Sequence, residues 1–114
     1  CIVPYQNEFK HELLKVDNAV FENHGAVSEE CVIAMVKETL VQFKADVAIA
    51  VSGIAGPTGG TDEKPIGTTW IAVAYNDKII SKQFVFGDNR LRNIQTTAIT
   101  AINMLRQLIL NIED

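Results

Sequence analysis

The sequence predicts an α/β fold in which helices cover a mixed sheet in three layers. Three observations carry that reading. Two apolar runs of strand length, Val47–Val51 and Trp70–Ala74, flank a glycine-rich stretch. Helical spacing of apolar residues marks the segments after Ser28 and before Asn111. The elements also alternate along the chain rather than falling into a strand block and a helix block, which suits a layered sheet. With 114 residues, 47% apolar and 21% charged, the chain makes one domain over residues 1–114 around one modest core.

Residues 1–5 suggest a strand, and Pro4, which lacks an N–H, suits an edge or a strand end. Gln6 to Val16 sets Phe9, Leu13 and Val16 at helical spacing. Asp17 and Asn18 can cap a following helical turn that Gly25 stops. Ser28-Glu29-Glu30 opens a stronger helix, with a preferred N-cap and acids at the positive dipole end; its stripe is Val32, Met35, Val36, Leu40 and Phe43. Asp46 to Ser52 is a strand expected to be buried on both faces, as in a parallel sheet. Thr68–Ala74 and Lys78–Phe86 are strands joined through Tyr75-Asn76-Asp77 as a hairpin. Asn93 to Leu110 is a long helix whose predicted apolar face is Ile94, Ala98, Ala101, Ile102, Leu105 and Ile109.

Fourteen acids against ten bases give a formal charge of −4, and no Lys/Arg cluster marks a face. Nucleic-acid binding through a basic patch is therefore not expected. No apolar stretch reaches bilayer-spanning length, so no membrane partner is expected either. Cys1 and Cys31 lack metal-ligand spacing, and His11 and His24 form no metal motif. Cys31 lies in a helical pattern and reads as a small core residue. Without a disulfide framework, the default compartment is the cytoplasm.

The chemistry concentrates between residues 52 and 68. Four of the seven glycines, Gly53, Gly56, Gly59 and Gly60, fall within eight positions directly after an apolar strand. Glycine admits φ > 0 and lets backbone approach a ligand, so such a loop can aim N–H groups at an anion. A structural turn would need the same residues, and composition leaves both readings open. The loop matches neither the Walker pattern nor the dinucleotide fingerprint, since Lys64 does not follow a glycine and the loop runs into a strand.

Two further places are candidates. Tyr5 and Lys10 flank a strand-to-helix junction and can converge on one pocket. A lysine near a positive helix end or in a desolvated pocket is pushed down in pKa, which suits a general base; a surface lysine is the plain alternative. Arg90 and Arg92 precede the last helix, where a guanidinium fork can clamp a carboxylate or phosphate, or simply pair with Asp88.

Together these places resemble one family. The run Ser-Gly-Ile-Ala-Gly-Pro-x-Gly-Gly-x-x-Glu-Lys-Pro-Ile-Gly-Thr from Ser52, the upstream Tyr-x-Asn-Glu-x-Lys from Tyr5, His24-Gly25-Ala26-Val27-Ser28 and Phe86-Gly87-Asp88-Asn89-Arg90 are similar to the C-terminal domain of the CinA competence/damage-inducible proteins. The resemblance runs through essentially the whole chain, with four motifs in order. It implies a metal-free, cofactor-free amidohydrolase that turns nicotinamide mononucleotide and water into nicotinate mononucleotide and ammonia, in pyridine-nucleotide salvage. By the same resemblance Tyr5 and Lys10 are catalytic. Ser52, Gly53, Ile54, Ala55, Gly56, Gly59, Gly60 and Arg90 border or bind the small-molecule nucleotide.

The resemblance also implies a nucleophilic serine in a Ser-Cys-Thr-Gly-Gly motif, which these 114 residues do not contain. The family's first strand and first helix have no counterpart either, and the chain opens without Met on Cys1-Ile2-Val3, so an N-terminally truncated domain is expected. Pro4 and an inserted Asn89 are smaller departures from the family pattern. Such a fragment is expected to be inactive alone and, with a sheet edge and apolar surface exposed, poorly stable or self-associating, for example as a homo-oligomer. Two other classes compete: a non-catalytic interaction module linked to competence or DNA-damage response, and an N-terminal-nucleophile hydrolase built on Cys1.

Overall fold

The structure, a computed structural model, describes residues 11, 17–23, 25, 27–54, 56, 60–62 and 64–111. Helix α1 (Asn18–Asn23) leads to α2 (Glu29–Gln42), then strand β1 (Val47–Gly53), the glycine-rich loop, strands β2 (Thr68–Tyr75) and β3 (Lys78–Val85), and helix α3 (Arg90–Leu110). The strand expected over residues 1–5 lies outside the described residues, as does the helix expected over Gln6–Val16 apart from His11.

Local chemistry sets the helix ends. The Asp17 carboxylate accepts from the Ala19 N–H at 3.0 Å, and Gly25, at φ +78°, ends the turn by donating to the Val20 carbonyl at 3.1 Å. Ser28 caps α2: its Oγ accepts from the Cys31 N–H at 3.2 Å and donates to the Gly25 carbonyl at 2.8 Å. Helix α2 stops at Gln42, because Lys44 turns into the left-handed region at φ 49°. Phe43 therefore becomes the C-cap and is 55% exposed, correcting its place in the predicted stripe; Val32, Met35 and Val36 are buried as expected.

The described strands form one sheet in the order β1-β2-β3, antiparallel throughout, with Val47 opposite Tyr75 and Gly53 opposite Thr69. The β2–β3 hairpin turns at Asn76-Asp77, with Asn76 at φ 56° as the short turn demands. The burial on both faces expected of residues 46–52 is corrected: one row of the strand is open, and its described pairing is antiparallel. Ala48, Ala50 and Ser52 are buried, whereas Val47, Ile49 and Val51 keep 37–39% of their surface exposed. Both rows are apolar, so the run carries no polarity contrast from which a period of two can be read.

Helix α2 packs on one sheet face through Cys31, Val32, Met35 and Val36 against Ala48, Ala50, Ala72 and Ala74. Helix α3 packs on the other through Ala101, Met104 and Leu108 against Ile71 and Val73. The three layers are thus helix, sheet, helix. Helix α3 begins at Arg90, three residues earlier than predicted, because Asn89 caps it by accepting from the Arg92 N–H at 3.0 Å. Its buried row is Asn93, Ala101, Met104 and Leu108, so only Ala101 of the predicted face is fully buried and Ile94, Ile102 and Ile109 stay exposed. The helix is apolar over two adjacent stripes, and the one carrying a small Ala and a flexible Met fits over the bulky Ile71 and Val73. Among the described residues no helix is long and apolar enough to cross a membrane.

Candidate functional site

The glycine loop leaves the end of β1 and returns at the start of β2. Its mouth is pinned by backbone bonds: the Ile54 N–H donates to the Thr68 carbonyl at 2.9 Å, and the Gly67 N–H donates to the Ile54 carbonyl at 2.6 Å. Gly53 must be bare here, because a Cβ would lie 2.8 Å from Thr69 Oγ1. Further out, Gly56 turns at φ +91° against Ile66, and Gly60 passes so close that a Cβ would stand 2.7 Å from the Ile66 nitrogen. The glycines are therefore required by close approach and by backbone conformation.

The far end of the loop is knitted locally. The Thr61 N–H donates to the Lys64 carbonyl at 2.9 Å, and the Lys64 N–H donates back to Thr61 Oγ1 at 3.0 Å. Lys64 also reaches the turn before α2, where a Cβ on Gly25 would be 3.1 Å from its Nζ. The loop and the Gly25 turn, remote in sequence, are neighbours in space.

Arg90, on the first turn of α3, donates from Nη1 to the Gly56 carbonyl at 2.9 Å. One of its five N–H donors thus holds the loop. Ser52 is buried and shares the α2-facing row of β1 with Ala48 and Ala50. The structure brings Ser52, Gly53, Ile54, Gly56, Gly60 and Arg90 into one end of the molecule. Tyr5, Lys10, Ala55 and Gly59 lie outside the described residues.

Two clefts open beside this loop. One, of about 330 Å³, lies between the end of β1, the start of β2 and α3, lined by Val51, Gly53, Thr69, Ile94 and Thr97 with Asn93. The other, of about 230 Å³, lies between the Phe86–Asn89 turn and α3, with Arg92 and Asn93 on its wall. The first is mainly apolar with a few polar groups, the usual make-up of a small-molecule site. Asn93 borders both, is 3% exposed, and is absent from the residues singled out by sequence. The one signal for it was an amide at a position that helical spacing places next to a buried row. Among the described residues, no three His, Cys, Asp or Glu side chains gather as a metal site.

Comparison with known proteins fits this geometry to a family. The profile described as the CinA C-terminal domain matches residues 1–109. A CinA-like protein of Thermosipho melanesiensis is 46% identical over 112 residues, which are 96% of this chain and 28% of that protein. The nicotinamide-nucleotide amidohydrolase PncC of Enterobacter agglomerans is 43% identical over 111 residues, 96% of this chain and 68% of that protein. Among solved structures, competence damage-inducible protein A of Klebsiella pneumoniae superposes with a TM-score of 0.90 at 33% identity, covering 97% of this chain and 69% of that one. The protein CihA of Agrobacterium tumefaciens gives 0.88 at 36% identity, covering 91% and 64%. The chain spans little more than a quarter of its CinA-like relative and about two-thirds of the solved chains. Profile, sequence and superposition agree, and the chain belongs to the CinA C-terminal domain family.

Proposed function

We propose that this domain is the substrate-binding and proton-transfer part of a nicotinamide-nucleotide amidohydrolase. The observation that carries the reading is the 43% identity to PncC over 111 residues. The reaction adds water across the carboxamide C–N bond of nicotinamide mononucleotide, giving nicotinate mononucleotide and ammonia. Such an enzyme serves pyridine-nucleotide salvage in the cytoplasm and needs no metal or cofactor.

In this reading a serine of the full chain, outside these 114 residues, attacks the carboxamide carbon. Lys10, neutral in the pocket, takes its proton directly or through Tyr5. Backbone N–H donors hold the tetrahedral oxyanion, and the proton returns to the leaving ammonia. Water then resolves the acyl-enzyme by the same relay. The loop from Gly53 to Gly60, beside Ser52, and the remaining donors of Arg90 hold the anionic nucleotide.

A second reading is a non-catalytic interaction module, which the competence-damage naming of relatives supports. One assay separates the two: ammonia release from nicotinamide mononucleotide by the full chain, with and without Lys10→Arg. An amidohydrolase turns over, and Lys10→Arg lowers kcat by about 10²-fold or more, because a guanidinium stays protonated at working pH. No turnover by the full chain supports the interaction module, and normal turnover by the arginine variant removes Lys10 as the base.

A further inference from the structure

Asn93 sits on the first turns of α3 in the buried row completed by Ala101, Met104 and Leu108. An amide buried there is costly unless its hydrogen bonds are remade, and an apolar side chain would serve packing alone. Among the described residues every buried side-chain nitrogen and oxygen has a partner, so the question is what Asn93 holds. Its Nδ2 donates to the Gly87 carbonyl at 2.9 Å. Gly87 lies beyond the end of β3, where the strand ladder no longer supplies a donor.

Gly87 is also the surface on which Gly67 is seated. A Cβ on Gly67, which stands at φ +91°, would be 2.7 Å from the Gly87 nitrogen. The Gly67 carbonyl accepts from the Phe86 N–H at 3.0 Å, and its N–H holds the Ile54 carbonyl at 2.6 Å. A short path of backbone contacts therefore runs from Asn93 through Gly87 and Gly67 to Ile54, the first residue of the loop. Arg90 reaches the same loop independently at Gly56.

We propose that Asn93 is a positioning residue: by fixing Gly87 it fixes Gly67, and so sets where the mouth of the glycine loop stands relative to the two clefts it borders. Its consequence for turnover rests on the amidohydrolase reading, whereas its hold on the loop does not. Arg90 and Asn93 divide the task, one holding the loop at Gly56 and the other setting its base.

The test uses the full chain carrying this domain and the variant Asn93→Asp, which keeps the shape and replaces the donor with an oxygen facing the Gly87 carbonyl. Amide hydrogen exchange should quicken about tenfold or more at Ile54 and Gly67 and stay within about twofold at Ile71 and Val73 in the core. With nicotinamide mononucleotide as substrate, KM should rise about tenfold while kcat stays within about twofold, the pattern of lost substrate holding. Equal quickening at all four amides would make Asn93 a general stability residue, and no quickening at the loop would remove it altogether; either overturns the proposal. If the variant does not fold, the unaltered protein decides: Asn93 Nδ2 protons exchanging in step with the Ile54 and Gly67 amides support it, and exchange as fast as a free amide overturns it. A full chain that releases no ammonia defeats the amidohydrolase reading and leaves the exchange result to stand or fall alone.

Discussion

Toward α2 the sheet offers Ala48, Ala50, Ala72 and Ala74 and the helix supplies the bulk, in Cys31, Val32, Met35 and Val36; toward α3 the sheet supplies Ile71 and Val73 and the helix offers Ala101 and the pliable Met104. Alternation along β2 makes both arrangements from one strand, since successive side chains point to opposite faces. The two faces close to different extents. Cys31, Val32 and Val36 are fully buried, so the α2 side is sealed across β1 and β2. On the α3 side the helix covers β2, while Val47, Ile49 and Val51 on β1 and Ile94, Ile102 and Ile109 on α3 keep more than a third of their surface open. The larger cleft lies in that opening, with Val51 and Ile94 on its wall and Gly53 at the root of the loop. The sealed face holds the fold together, and the open face borders the site.

The sharpest way to break this contrast is to cut into the one closed part of the open face. Ile71 is 0% exposed and pairs across the sheet with Val51, which is 38% exposed. Ile71→Ala should cost about 2–5 kcal/mol, the usual range for a buried Ile-to-Ala cavity, in urea unfolding of the 114-residue chain. A cost below about 1 kcal/mol would mean that α3 does not close over β2.

The loop gives the next effect in size. Gly67→Ala puts a Cβ into the Gly87 backbone at a left-handed φ, so strain of about 1–3 kcal/mol is expected and the neighbour that must yield is main chain. The loss should appear in urea unfolding together with shifted amide resonances at Ile54 and Phe86, the hydrogen-bond partners of Gly67. A neutral substitution would show that the loop mouth is not clamped where the hydrogen bonds place it.

How much of this was legible beforehand differs between the same two faces. The α2 side was readable: Ser28 announced its cap, the stripe of Val32, Met35 and Val36 followed helical spacing, and Cys31 was placed as a core residue. The resemblance assigns the glycine loop and Arg90 alike to substrate binding; that Arg90 holds the Gly56 carbonyl of the loop is seen only in the structure. The α3 side misled for a physical reason. A strand with alanine on one face and β-branched residues on the other looks uniformly apolar, and a helix with two apolar stripes does not declare which one is buried. Asn93 escaped because its side chain bonds back to the Gly87 carbonyl in the turn before the helix, which helical spacing cannot show.

The smallest effect is the most discriminating. Among the described residues β1 pairs only with β2, and its open row is Val47, Ile49 and Val51 without a charge. Exposed sheet edges are often blunted with lysine, because unpaired N–H and C=O groups on an apolar strand invite pairing with another chain. Ile49→Lys should therefore change the unfolding free energy of the 114-residue chain by no more than about 1 kcal/mol, since a lysine stem can lie along the sheet with its ammonium in water. The same substitution should lower self-association, read as a shift toward monomer in sedimentation velocity. A cost of about 2–5 kcal/mol, equal to that expected of Ile71→Ala, would show that Ile49 is as enclosed as Ile71. In that case the two halves of the α3 face would be alike, and the opening above β1 would not be there to admit anything.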